Sequence, residues 1–461
     1  MEPVCLVRMC GCLANFQPGG NGTADANYEA TPMSAGIVAR ALSQRTPFFY
    51  GWVVLFAVCC AGFVRQGPAV ATLSIFVEPM TSQFGWSRTA ISGAVSLGGI
   101  LAAVLSPILG PLLDQHGART VLTLAVLVTG LCVASLAFTS SIVFFYVAFC
   151  TARTCFASPF DLGIYGAVNN WFVRHRAIAT AISNTAMMAG LVCLPLIAQF
   201  TIERAGWREG WLAVGATVLI VGLLPVWLLV GRRPEDLGLA VDGGPGAERR
   251  TAAGEVLQAA QEPKFTRAEA IRTRSFWLLC LFTLLIYPIQ AGVSLHQAPL
   301  LIERGIDAST AALVIASFSL AAGGAGLGFG LIMGRIGVRL SLLVAALILL
   351  VAVFAMEALA TTGQAFRAAV LFGAAIGAVL TVLPVAWADF FGRQSFGAIR
   401  GIALSVQVVA QASGPLLAGI LRDLTGNYSA GMYVFACFAA IAFLVAIGLK
   451  RPSWQTTRVA H

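Results

Sequence analysis

Gly110-Pro-Leu-Leu-Asp114-Gln-His-Gly117-Ala-Arg119 is answered 220 residues later by Gly330-Leu-Ile-Met-Gly334-Arg335-Ile-Gly337-Val-Arg339. Each copy closes one long apolar run and opens the next, so each reads as a tight charged loop between two membrane helices. A second pair of anchors has about the same spacing. Asn170-Trp-Phe-Val-Arg174 precedes Ala177-Ile-Ala-Thr-Ala-Ile182, and Asp389-Phe-Phe-Gly-Arg393 precedes Ala398-Ile-Arg-Gly-Ile402. Two anchors with one offset mark a duplicated chain, a six-helix unit present twice.

The composition agrees. Hydrophobic residues make up 58% of the 461 residues and charged ones 11%, against about 25% charged in an average soluble domain. Crossing about 30 Å of hydrocarbon takes about 20 apolar residues. Twelve such segments fall near 50–75, 89–112, 119–138, 142–168, 176–200, 208–230, 275–298, 308–332, 339–358, 366–390, 399–420 and 429–449. The expected fold is therefore an all-α membrane protein whose twelve transmembrane helices form two pseudo-symmetric six-helix bundles, residues 49–231 and 275–450.

With both ends cytoplasmic, 21 of the 29 Lys and Arg fall on the inner side, Arg400 among them, and 6 on the outer side; Arg65 and Arg153 lie within segments. The positive-inside rule thus places both termini in the cytoplasm of a chain integral to the plasma (inner) membrane. The net charge of +9 is spread over alternate short loops rather than gathered on one element. That distribution argues against a nucleic-acid partner. Residues 1–48 read as a disordered cytoplasmic extension with no secretory signal, and Met33 within it is an alternative start. Residues 232–274, with Gly243-Gly-Pro-Gly246, eight basic and seven acidic residues, read as a solvated cytoplasmic linker whose end, 265–274, forms a short surface helix. Residues 451–461 form a cytoplasmic tail. The eleven Cys lack paired ligand spacing, so neither a metal nor a cofactor is expected.

An ionisable side chain held at mid-membrane costs about 2.5–3.5 kcal/mol on insertion scales and is a functional candidate by default. Arg65 lies 13 residues past Trp52, about 20 Å into segment 1, and Arg153 about 16 Å into segment 4 from the other face. Paired guanidiniums at one depth suit a carboxylate, which they bind through forked, charge-assisted bonds. The competing reading has either Arg satisfying backbone carbonyls or pinning helices together. Asp161 and His296 are the candidates for proton coupling. Asp161 lies eight residues after Arg153, about 12 Å along and about 80° around a helix, too far for a direct pair, so it must find another partner or stay protonated as burial favours. Tyr287 and Gln290 are substrate-binding candidates alongside Arg65 and Arg153, and they flank Pro288, where a gating bend is expected. Asp114 with Arg119 reads as a latch between the halves, and Arg335 and Arg339, the basic flanks of the second loop, and Asp389, an interface residue, are further gating candidates. Gln66, Tyr165, Asn169, Gln297, Gln407 and Gln411 are uncharged candidates that either line a cavity or bridge helices.

These residues resemble the major facilitator superfamily, whose loop between helices 2 and 3 carries G-x-x-x-D-R-x-G-x-R. Gly110, Asp114, Gly117 and Arg119 fit, while Gln115 replaces the usual Arg and Gly334 replaces the acid of the second copy. Phe49-Tyr-Gly-Trp-Val-Val54, Phe76-Val-Glu-Pro-Met80, Phe84-Gly-Trp-Ser-Arg-Thr-Ala-Ile-Ser92, Arg233-Pro-Glu-Asp-Leu-Gly238 and Phe391-Gly-Arg-Gln-Ser-Phe-Gly-Ala-Ile-Arg-Gly401 are similar to the bacterial monocarboxylate and oxalate:formate transporter group. The resemblance spans about residues 48–450 and implies that helices 1, 4, 7 and 10 line a central cavity. Two features depart from it. The animal monocarboxylate carriers use an Asp and Arg pair in helix 8, where residues 308–329 here hold no ionisable group, and Ala189-Gly-Leu-Val-Cys-Leu-Pro195 poorly matches the antiporter motif of helix 5.

The expectation is a monomeric secondary active transporter of a small organic anion, a monocarboxylate moved with a proton by alternating access. The alternatives are a dicarboxylate or other organic-anion antiporter, an exporter of apolar compounds, a non-transporting sensor, and an intramembrane enzyme. The last needs a nucleophile and base cluster that four scattered His do not supply.

Overall fold

The computed structural model describes residues 37–243, 249–250, 256–257 and 262–453. Residues 1–36 of the expected extension, most of 244–261 in the linker and 454–461 of the tail lie outside the described residues. Within the extension, Ile37–Ser43 is a helix with Ala39 buried, which corrects the expectation of disorder there.

Among the described residues there are twelve crossings. Helix α1 is broken, Gly51–Val64 followed by Val70–Phe84, and so extends well past the expected residue 75. Arg88–Ser135 folds back at Gly117 (φ 81°, ψ 163°) into two helices, α2, 88–116, and α3, 118–135. Helix α4 is broken, Ile142–Ala157 then Pro159–Trp171. The first half ends with α5, Arg176–Ala205, and α6, Trp207–Leu229, which carries a wide turn at Val218–Leu223. The second half comprises α7, Arg274–Glu303; α8, Ala308–Ile336; α9, Val338–Glu357; α10, Thr362–Phe391; α11, Phe396–Thr425; and α12, Ser429–Gly448. Between the halves, Arg267–Arg272 is the expected short helix, started by a Thr266–Glu269 capping box. Arg249 and Arg250 pair antiparallel with Leu257 and Val256.

The duplication is written into the backbone. Gly337 (φ 81°, ψ 160°) repeats the Gly117 turn 220 residues on, a left-handed conformation open chiefly to glycine. Arg119 Nε donates to Trp227 O, joining α3 to α6, and Arg339 Nη2 donates to Ile447 O, joining α9 to α12. Both donor and acceptor are displaced by the same 220 residues.

The halves meet where α2 packs on α11 and where α5 packs on α8 and α10. Small residues allow the close approach. A Cβ on Gly110 would collide with Gly397 O, and one on Gly330 would lie 3.1 Å from Ala177 O, the pseudo-symmetric counterpart of that contact. Phe56, Ile100, Val104, Ile108, Leu320 and Leu331 are exposed on the perimeter. That apolar girdle is what a helix bundle presents to lipid.

Within the first half, Gly190 of α5 sits against the Phe63 carbonyl of α1, whereas Gly324 of α8 has nothing within 4 Å. Gly190→Val should destabilise the protein by about 1–3 kcal/mol through overpacking. Gly324→Ala should leave stability unchanged or slightly raised, and thermal unfolding in detergent measures both.

Candidate functional site

Two helix breaks build the centre of the protein. In α1, Gly67-Pro68 interrupts the helix, because Pro68 has no N–H and its ring crowds the preceding turn. Residues 65–69 form a turn, with Thr72 Oγ1 donating to Gln66 O at 2.9 Å. In α4, Pro159 forces Ser158 out of helical geometry (φ −128°, ψ −76°) and then serves as the first residue of the second piece. Asp161 is the third residue of that piece, at the positive end of its dipole. Arg65 caps the C-terminal end of the first piece of α1, where a cation is favoured.

These breaks bring the charges together. Arg65 Nε donates to Phe156 O at 2.8 Å, satisfying a carbonyl beside the α4 break, and Arg65 Nη2 lies 3.7 Å from Asp161 Oδ2. From the other half, Arg400 Nη2 of α11 donates to Asp161 Oδ1 at 3.1 Å and to Gln407 Oε1 at 2.7 Å. Asp161 and Arg400 are buried, at 3% and 1% exposure. One carboxylate is thus held between two guanidiniums and between two halves. Asp161 finds its partner as the spacing requires, and it is not Arg153.

Arg153 lies one stage further from the linker. Its guanidinium stacks over the Phe156 ring at 4.1 Å while Arg65 stands over the same ring at 4.7 Å. Its Nη1 reaches Pro68 O at 3.4 Å, and its buried Nε has no acceptor among the described residues. Tyr165 donates to Asn184 Oδ1 at 2.8 Å, and Asn184 Nδ2 donates to Leu380 O of α10 at 2.9 Å, a second bridge across the halves. Tyr287 of α7 is buried beside Arg400.

The other candidates lie apart from this centre. Helix α7 is continuous through Pro288, with no break there, and Gly414 of α11 packs directly on the Pro288 carbonyl. Gln290 accepts from Gln411 Nε2 at 3.1 Å, away from the charges. His296, nine residues beyond Tyr287 and about 13 Å along the axis, places Nδ1 3.3 Å from the Tyr428 hydroxyl and Nε2 3.1 Å from Pro415 O. It ties α7 to α11 and to the start of α12.

At the linker face, Asp114 Oδ1 and Oδ2 accept from the Gly397 and Ala398 N–H groups at 2.8 Å each. A carboxylate of the first half therefore caps α11 of the second. Arg119 is not its partner, which corrects the expected pair. The positive-φ turn at Gly117 carries Arg119 round to α6. The duplicated loop has Gly334 at the equivalent position, and the foot of α5 is held instead by linker Asp242, which accepts from Val173 N at 3.1 Å and Arg174 N at 2.6 Å. Glu262 of the linker straps the halves together, 2.6 Å from Arg176 and 3.0 Å from Arg393. Asp389 pairs with Arg451. Arg335 is exposed, with no hydrogen bond or ion pair among the described residues.

Every hydrogen bond crossing directly between the halves lies between the linker face and the level of Leu380 and Ser405, where Ser405 Oγ donates to Ala103 O. Beyond that level, toward the opposite face, none joins them among the described residues. Among the described residues, direct hydrogen bonds between the halves are thus confined to one face.

Sequence reasoning missed Arg400, because placing the start of segment 11 at residue 399 put it at a loop edge. The signal available was its setting, Gly397-Ala-Ile-Arg-Gly401, with Gln407 seven residues on and so on the same helical face.

The family profile of the Major Facilitator Superfamily matches residues 52–356. The chain is 26% identical to mouse monocarboxylate transporter 11 over 87% of its length and 88% of that protein. It is 23% identical to human monocarboxylate transporter 7 over 87% and 86%. Among solved structures it superposes on the proton:xylose symporter XylE with a TM-score of 0.67 at 14% identity, covering 87% of this chain and 95% of that one.

If the Asp114 cap holds the clasp, Asp114→Ala removes two charge-assisted bonds, about 1.5–3 kcal/mol each. Cross-linking between cysteines introduced at 103 and 405 should then fall severalfold against the native-cysteine background.

Proposed function

The chain belongs to the Major Facilitator Superfamily, and from that premise we propose that it is a secondary active transporter of a small organic anion, a monocarboxylate carried with a proton. The observation that carries this reading is a cluster of three guanidiniums and one carboxylate: Arg65 and buried Arg400 hold Asp161, and Arg153 stands beside Arg65 on the Phe156 ring. Three guanidiniums against one acid leave an excess of positive charge deep in a membrane protein, which an anionic ligand offsets. Arg65 and Arg153, on either side of the α1 break, face the cargo. The likeness to monocarboxylate transporters supports the substrate class.

Asp161 is the group that takes the proton, since neutralising it loosens a cross-half ion pair. His296, with both ring nitrogens engaged at the far end of α7, is the weaker candidate. With Lys and Arg concentrated on the linker face, that face is cytoplasmic and both termini lie there. The clasped halves then represent a state closed to the cytoplasm. Asp114, Glu262 and Arg393 release in the opposite state, giving alternating access in the plasma membrane by a monomer.

Purified protein in liposomes should accumulate labelled lactate or pyruvate when the interior is alkaline. Arg65→Ala should lower the initial rate at least tenfold. Uptake of these acids that ignores both the pH gradient and Arg65 refutes the reading.

A further inference from the structure

The ion triad uses only part of Arg400. Nη2 serves both Asp161 and Gln407, while Nε and Nη1 are buried and have no acceptor among the described residues. Arg400 is 1% exposed, so these donors have no bulk water to turn to. Burying an unmatched donor costs about 1–3 kcal/mol, and more when it is charged. A guanidinium so placed is either a persistent liability or one that exchanges acceptors. Its setting favours exchange: it faces Arg65 across a single carboxylate, with the Tyr287 hydroxyl beside it.

We propose that Arg400 is a substrate-binding residue and that Asp161 is the resident carboxylate it gives up when the transported anion arrives. The inference rests on the organic-anion reading above and deepens it. A monocarboxylate placed on Arg65 and Arg400 takes over the contacts of Asp161, and Asp161 accepts a proton on a carboxylate oxygen. One negative charge enters and one is neutralised. The internal charge of the site is therefore the same empty and loaded, and each cycle moves one anion with one proton. The ionisable groups facing Asp161 are Arg65 from α1, Arg400 from α11, Tyr165 from its own helix and Tyr287 from α7. Nearby, α2 offers Ser106, bonded to Ser158, and α5 offers Met187 and Asn184, none of them ionisable.

Exchange also links loading to the clasp. The Arg400–Asp161 pair is one of the bonds across the halves, and Arg400 follows directly on the turn of α11 that Asp114 caps. Once Asp161 is protonated, the substrate itself bridges Arg65 in the first half and Arg400 in the second.

The test is equilibrium binding of lactate and pyruvate to the full chain in detergent at pH 6 and pH 8, with liposome uptake alongside. Wild-type protein should bind more tightly at the lower pH, approaching tenfold per pH unit where one proton accompanies one anion. Asp161→Asn should bind with nearly equal affinity at both pH values and lose proton-driven accumulation. Arg400→Gln should weaken binding at least tenfold, with Arg400→Lys in between. Arg400→Gln binding as tightly as wild type, or Asp161→Asn keeping the wild-type pH slope, overturns the proposal while leaving the organic-anion reading intact. Wild-type protein that neither binds nor transports these acids at either pH overturns both. If Arg400→Gln does not elute as a monodisperse species, Arg400→Lys and Asp161→Asn decide the question.

Discussion

A carboxylate shared by two guanidiniums in a low-dielectric interior is the interaction on which the centre of this protein depends. Removing charges from water costs several kcal/mol per ion, recovered only when geometry and additional hydrogen bonds are good. Here they are supplied by defects in the helices themselves. The break in α1 places Arg65 at a helix C-terminus, the break in α4 places Asp161 in the first turn of a new helix, and the Phe156 carbonyl beside the second break is taken by Arg65. Irregular backbone at membrane depth is tolerated only where it is buried in protein or lines a cavity, and here it turns the triad inward.

Around that centre, glycine and alanine set how closely the halves approach. The contacts of Gly110 with Gly397 and of Gly330 with Ala177 are two copies of one arrangement, and they lie at the same face. Packing of this kind against backbone is short-ranged, so it depends on the halves being in close contact. The ionic elements at that face, Asp114 on α11 and Glu262 between Arg176 and Arg393, add direction to it. In a family of transporters, a clasp confined to one end of the bundle is the geometry that rocking halves require.

Much of this was legible in the sequence, and the illegible part has specific causes. The duplicated loop and its 220-residue offset survive in the turns at Gly117 and Gly337 and in the bonds of Arg119 and Arg339. Arg65 and Asp161 stood out because a charge in an apolar run is expensive. Their pairing was not visible, since it depends on two helix breaks and on a partner from the other half of the chain. Arg400 was hidden by a segment boundary. Asp114 and Arg119 are neighbours in sequence yet face different helices, because one residue with positive φ reverses the chain between them. Pro288 is the opposite case, a proline within a helix that continues through it, with Gly414 packed on its carbonyl.

The replacement of the second loop acid by Gly334 has a consequence for how the chain is joined. The foot of α5 draws its carboxylate from Asp242, the sole non-glycine residue with positive φ among the described residues, and Asp242 comes after α6. The first half thus completes itself with the opening stretch of the linker, whereas Glu262, near the linker's end, lies against residues of both halves. The two described ends of the linker therefore do different jobs, one serving the first half alone and the other joining both. A chain divided between Asp242 and Glu262 would leave the first carboxylate with the half it serves and carry the second, which touches both, with the other.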